Sequence, residues 1–124
     1  MSTKKDKFTS ADHYYMNHAI NLAAERIGFT GLNPSVGCVI VKNNKILSVG
    51  KTGFNGRPQA ESVAINSCKK KDLKGSTIYV TMEPCTHYGK TPPCTNLIIK
   101  SKIKKVIYSI EDVDIRTKKK HILF

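Results

Sequence analysis

The hydrophobic pattern of this chain switches repeatedly between a helical period and short apolar runs, and that alternation constrains its fold most. Thr9-Ser10-Ala11-Asp12 has the spacing of a capping box, with Asp12 in the place of Glu or Gln, so a first helix is expected to start near Thr9 or Ser10. Met16, Ala19, Ile20, Ala23 and Ile27 recur on one stripe, and Gly28 is positioned to end the helix. Asn33-Pro34 marks a loop. Val36 to Val41 and Ile46 to Val49 read as two strands joined by a tight turn at Asn43-Asn44. After a Gly-rich loop over 50–58, a helix is expected from about Gln59 to Lys70, with Ala60, Val63, Ala64 and Ser67 inward. Thr77 to Thr81 is a third strand, Pro92-Pro93 opens a helix through Leu97, Ile98 and Ile99, and Lys105 to Ile110 is a fourth strand. The order helix, hairpin, helix, strand, helix, strand implies a three-layer α/β/α domain. Its mixed sheet of about four to five strands would have its later strands parallel.

At 124 residues the chain is expected to form a single domain over residues 1–124. No apolar stretch of signal-peptide or membrane-spanning length occurs, which excludes a membrane role on this reading and points to the cytoplasm. The net charge of +12 invites a nucleic-acid reading. Of the 21 basic residues, however, only Arg26, Arg57 and Arg116 carry the planar fork that suits bases and phosphates. Apart from Lys69-Lys70-Lys71, Lys102-Lys104-Lys105 and Lys118-Lys119-Lys120, the lysines are spread along the chain, so nucleic acid is not the expected partner; an anionic metabolite is compatible with the same charge.

Four cysteines without a secretion signal point to metal or catalysis before disulfides. Cys38 and Cys68 lie among apolar residues and read as packed thiols. Cys85 and Cys94 differ, because each follows a proline at what looks like a helix start, in Glu83-Pro84-Cys85 and Thr91-Pro92-Pro93-Cys94. A helix N-terminus favours negative charge and so holds a thiol as the metal-binding thiolate. Glu61, at the start of another expected helix, could serve as a proton shuttle beside such a metal.

These pieces resemble the zinc deaminases of the cytidine-deaminase-like fold, which carry His-x-Glu on one helix and Pro-Cys-x-x-Cys on the next. The longer run from Pro84-Cys85 through His87, Lys90 and Thr91 to Pro93-Cys94 is similar to the riboflavin-pathway diaminohydroxyphosphoribosylaminopyrimidine deaminases. Agreement extends to Asn33-Pro34-Ser35-Val36-Gly37-Cys38, Gly56-Arg57-Pro58 and Tyr79-Val80-Thr81-Met82-Glu83. The resemblance implies that Cys85 and Cys94 hold zinc and that Glu61 moves protons from a zinc-activated water to the leaving amine. It further implies that Asn33 hydrogen-bonds the pyrimidine, that Lys90 and Thr91 hold the ribose phosphate, and that His87 and Thr52 line the same pocket.

Two departures stand out. Gln59 occupies the position of the family's His ligand, and its neutral amide oxygen is a poorer donor for zinc than an imidazole nitrogen. Weakened or lost zinc binding, and with it lowered activity, is expected. The family also continues beyond the last strand, so a shortened sheet with an open edge is expected, and the reductive step would belong to a separate reductase. The expected function is zinc-dependent hydrolytic deamination of a phosphoribosylated diaminopyrimidinone by a homo-oligomer. The alternatives are a non-catalytic relative that binds a ligand or partner, and a deaminase acting on nucleic-acid bases.

Overall fold

The computed structural model describes residues 3–4, 8–81, 94–109 and 120–123, with side-chain surroundings over 8–81 and 96–109. In chain order the elements are β1 (Thr3–Lys4), α1 (Ser10–Ala24), β2 (Gly37–Lys42), β3 (Lys45–Lys51), α2 (Ala60–Asn66), α3 (Lys70–Leu73), β4 (Thr77–Val80), α4 (Cys94–Lys100), β5 (Lys105–Ser109) and β6 (Lys120–Leu123). One mixed sheet runs in the order β1-β6-β5-β4-β2-β3. Its central four strands are the expected ones, with β4 and β5 parallel and β2 antiparallel to both β3 and β4. The open edge expected beyond β5 is covered, because β6 pairs antiparallel with β5 and β1 with β6. That extends the sheet to six strands. Neither addition has a strand's apolar alternation in sequence, since β1 is two residues long and β6 follows a lysine run.

The layers follow from the two faces of the strands. Val39, Val41, Tyr79 and Ile107 point to one face, where they pack with Tyr15, Met16 and Ala19 of α1. Their neighbours Cys38, Ile40, Ile78, Val80, Val106 and Tyr108 point to the other, against Ala60, Ala64 and Ile65 of α2, Leu73 of α3 and Ile98 of α4. Burial on both faces explains why these strands read as continuous apolar runs. Cys38 is fully buried among them, as expected of a packed thiol.

The capping box forms as predicted. Asp12 N donates to Thr9 Oγ1 at 3.0 Å and Thr9 N donates to Asp12 Oδ2 at 3.1 Å. The other oxygen of Asp12 accepts from the Tyr79 hydroxyl at 2.7 Å, which fastens the first turn of α1 to β4. Burial, with the Asp12 carboxylate beside it, pushes the Tyr79 phenol well above its ordinary range. The helix ends at Ala24 instead of running to Gly28, and residues 25–28 continue as turns closed by bonds such as Phe29 N to Arg26 O at 2.9 Å. Ile27 therefore leaves the buried stripe and is 41% exposed. The hairpin turn is as expected, with Asn43 and Asn44 at φ 54° and 61°.

The helix expected over 59–70 divides into α2 and α3. Ser67 lies outside the buried face, its hydroxyl donating to Val63 O at 2.7 Å, and Lys69 is extended before α3. The buried residues of α2 are Ala60, Glu61, Ala64 and Ile65, so the face is rotated from the expected one and takes Glu61 inward. Gly50 on β3 makes this possible. A Cβ there would lie 2.1 Å from Ala60 O and 2.9 Å from Ala64 N, so only glycine lets α2 lie directly on the strand. Ser48 Oγ, also on β3, donates to Ala64 O at 2.7 Å and fixes the same contact. Gly50→Ala is expected to cost at least about 1–3 kcal/mol, as overpacking of a closed core does. Thermal unfolding checks this; an unchanged melting temperature would mean that α2 can ride up without loss. Among the described residues no helix is long and apolar enough to cross a membrane.

Candidate functional site

Topology brings the chemistry-bearing residues to one end of the sheet. Strands β3 and β4 are both antiparallel to β2, so they run in the same direction. The helices that follow them, α2 and α4, share one face through Ala60, Ala64, Ile65 and Ile98. Each returns from the carboxyl end of its strand, so Glu61 and Cys94 stand on helices that start at the same edge. The loop before β2 ends there too, because Gly37 pairs with Lys51 at the end of β3. Such an edge is where open α/β sheets bind ligands.

Gln59 caps the start of α2 in extended conformation, at φ −74° and ψ 150°, and its carbonyl accepts from Val63 N at 3.1 Å. Its half-buried side chain makes no cap hydrogen bond, so the amide is not consumed in satisfying the helix end. Glu61 follows in the first turn and is only 5% exposed. Cys94 is the first residue of α4, the helix-start position anticipated for a thiolate.

Asn33 is held by two loops. Asn33 N donates to Thr30 O at 3.2 Å, the buried Thr30 hydroxyl donates to Asn33 O at 2.6 Å, and Asn33 Nδ2 donates to Gly56 O at 3.3 Å. Gly56 sits at φ +94°, and a Cβ there would fall 2.3 Å from Asn33 Nδ2, so glycine is required for this approach. Thr52 is 3% exposed, and its hydroxyl accepts from Val36 N at 2.8 Å. In this structure Thr52 thus joins the end of β3 to the loop that carries Asn33. Cys85, His87, Lys90 and Thr91 lie outside the described residues, as does the side chain of Cys94.

Sequence reasoning passed over residues that shape this edge. Thr81, 1% exposed, accepts from Gly37 N at its hydroxyl at 3.1 Å and donates its own amide to Gly37 O at 3.1 Å. It anchors the point where the chain leaves β4 toward Cys85. Arg26 Nε donates to Thr52 O at 3.1 Å while its guanidinium lies 4.0 Å over the Phe54 ring, which Phe29 meets edge-on. Phe54 in a Gly-rich loop was the one available signal.

The described donors bear on metal binding. Among the described residues no three His, Cys, Asp or Glu side chains gather as a metal site. With Cys94 at one helix start and Gln59 at the other, the available set is thiol sulfur plus a neutral amide oxygen. Thiolates suit zinc well and the amide oxygen weakly.

Comparison with known proteins shows the family and the fold. Residues 9–110 match the model of the cytidine and deoxycytidylate deaminase zinc-binding region. The riboflavin biosynthesis protein RibD of Aquifex aeolicus is 48% identical over 101 residues, covering 82% of this chain and 28% of that protein. The diaminohydroxyphosphoribosylamino-pyrimidine deaminase of Buchnera aphidicola is 46% identical over 113 residues, covering 91% of this chain and 76% of that one. Among solved structures, a Thermotoga maritima protein named as a diaminohydroxyphosphoribosylaminopyrimidine deaminase/5-amino-6-(5-phosphoribosylamino)uracil reductase superposes with a TM-score of 0.74 at 44% identity. That superposition covers 86% of this chain and 32% of the Thermotoga chain. The chain thus spans less than a third of the RibD protein and about three quarters of the Buchnera one. Fold and sequence agree, and the chain belongs to the cytidine and deoxycytidylate deaminase zinc-binding family.

Proposed function

We propose that this chain catalyses hydrolytic deamination of a phosphoribosylated diaminopyrimidinone, the deaminating step of riboflavin synthesis. The observation that carries the proposal is Glu61, a carboxylate buried in the first turn of α2 on the same sheet edge as Cys94. The names and identities of the Aquifex and Buchnera relatives supply the substrate class. Cys85, Cys94 and the amide oxygen of Gln59 would hold zinc, which when bound supplies a water acidified toward neutrality as the nucleophile.

The remaining work falls to the chain's own side chains. Glu61 takes a proton from the attacking water and gives it to the departing amine, so that oxygen replaces nitrogen on the ring and ammonia leaves. Asn33 orients the ring from the loop that Thr30 and Gly56 hold. Lys90 and Thr91 hold the phosphate, Thr52 backs the pocket wall, and His87 lines it. The reductive step named for the Thermotoga relative is assigned to a different polypeptide segment or partner, and a homo-oligomer is the proposed assembly.

Gly56→Ala tests the Asn33 role. The added methyl displaces Asn33 Nδ2, so KM is expected to rise by about tenfold, the size of one lost hydrogen bond, with little change in kcat. An unchanged KM would remove Asn33 from the substrate contacts. Gln59 favours a second reading, a non-catalytic relative that keeps the ligand site. Zinc content of the purified chain tests the metal part of the proposal. About one zinc per chain is expected for one site of this ligand type; a chain that takes up none from zinc-supplemented buffer contradicts it.

A further inference from the structure

The face of the sheet that carries α2, α3 and α4 also holds a cleft of about 610 Å³ whose lining includes neither Gln59 nor Glu61. It lies at the opposite ends of the helices that begin with Ala60 and Cys94. Its size falls within the range of small-molecule sites. The floor is apolar, made by Ile65, Leu73 and Leu97 with the half-buried thiol of Cys68 beside them.

The rim is cationic. Lys70, Lys71, Lys74, Lys100 and Lys102 line the cleft, all of them exposed, and among the described residues no carboxylate lines it. Among the described residues no ion pair involves these five lysines, and the pair of Lys51 with Glu25 lies away from this cleft. Charge at helix carboxyl ends accounts for Lys74, the C-cap of α3, and for Lys100, in the last turn of α4. It does not account for Lys70, which opens α3, or for Lys102, which lies beyond α4. The backbone sets Lys74 and Lys102 close together. Gly75 N donates to Lys102 O at 3.1 Å and Lys104 N to Ser76 O at 2.9 Å, while Lys102 itself sits at φ +60°, an uncommon conformation for a side-chain-bearing residue.

Like charges gathered round one cleft repel, and a bound anion relieves that repulsion. Ammonium groups act as point charges suited to phosphate, without the planar fork that reads carboxylates in pairs. We propose that this cleft is a binding site for a phosphate-bearing small molecule, its phosphates met by the lysine rim and its compact apolar body resting on the Ile65, Leu73 and Leu97 floor. The site is separate from the proposed deamination site, so the two proposals stand or fall independently.

ATP serves as the probe, with inorganic tripolyphosphate as a phosphate-only comparison, both titrated at low ionic strength by calorimetry. ATP is expected to bind more tightly than tripolyphosphate and to slow alkylation of Cys68, followed by peptide mass, by at least about threefold, since the thiol lies in the cleft wall. The double variant Lys71→Glu with Lys100→Glu changes two exposed side chains. It is expected to keep its melting temperature and to lose at least about tenfold in ATP affinity. Unchanged affinity in that variant, or no protection of Cys68, overturns the site. Tripolyphosphate binding as tightly as ATP overturns the role of the apolar floor. A single-stranded RNA that displaces ATP at lower concentration overturns the small-molecule reading in favour of a nucleic-acid surface.

Discussion

Glu61→Gln is expected to lower the rate of ammonia release by about 10²–10⁴-fold, the usual contribution of a positioned general acid–base. The exchange keeps the shape of the side chain and removes its capacity to carry a proton. Glu61 is buried in the first turn of α2, and that turn is placed by the close contact of Ala60 and Ala64 with Gly50 and Ser48 on β3. These contacts hold the backbone of that turn without the Glu61 side chain, and KM should move far less than kcat. A variant with near-native kcat would show that the proton is carried elsewhere. A variant that lost only affinity would make Glu61 a binding residue.

The next largest effect is expected from Gln59→His, which should tighten zinc by about 10–100-fold or more, the range known for groups that only support a metal ligand. Imidazole nitrogen is a better zinc donor than an amide oxygen, and the two side chains are of similar size. Position 59 is suited to the exchange because its backbone is extended and its side chain does not cap α2, so no helix-end bond is lost. Competition with a metal indicator measures the change. Equal affinity of the two forms would mean that the third ligand comes from another residue, with His87 the first to be substituted.

Much of this architecture was legible in the sequence because its signals are local. The capping box at Thr9 and Asp12, the Asn43-Asn44 turn and the apolar runs of β2, β4 and β5 depend on neighbours in the chain, and all take their expected form. Errors arose where distant contacts decide. Helix α1 stops at Ala24, and just beyond it Arg26 meets Thr52 and Phe54, a contact between residues far apart in sequence. The face of α2 is rotated because Gly50 on another strand admits Ala60, and no helical period within α2 could reveal this. Strands β1 and β6 owe their pairing to each other and to β5, not to any apolar alternation of their own.

The site was legible in a different way. Glu61 and Cys94 were marked by helix-start chemistry, and the structure sets their helices side by side at one sheet edge. Asn33 was marked by its motif, yet the means of holding it is visible only in three dimensions, in Thr30 and Gly56. Thr81 and Arg26 went unnoticed because a buried hydroxyl and a lone arginine carry no sequence signal until their partners, Gly37, Thr52 and Phe54, are in place.

Ammonia release from the phosphoribosylated diaminopyrimidinone, followed with the purified, zinc-supplemented chain, bears most directly on the proposed activity. Continuous turnover that disappears in Glu61→Gln is the predicted result. A zinc-containing chain that binds this compound and releases no ammonia would contradict the deaminase reading and leave a ligand-binding member of the family.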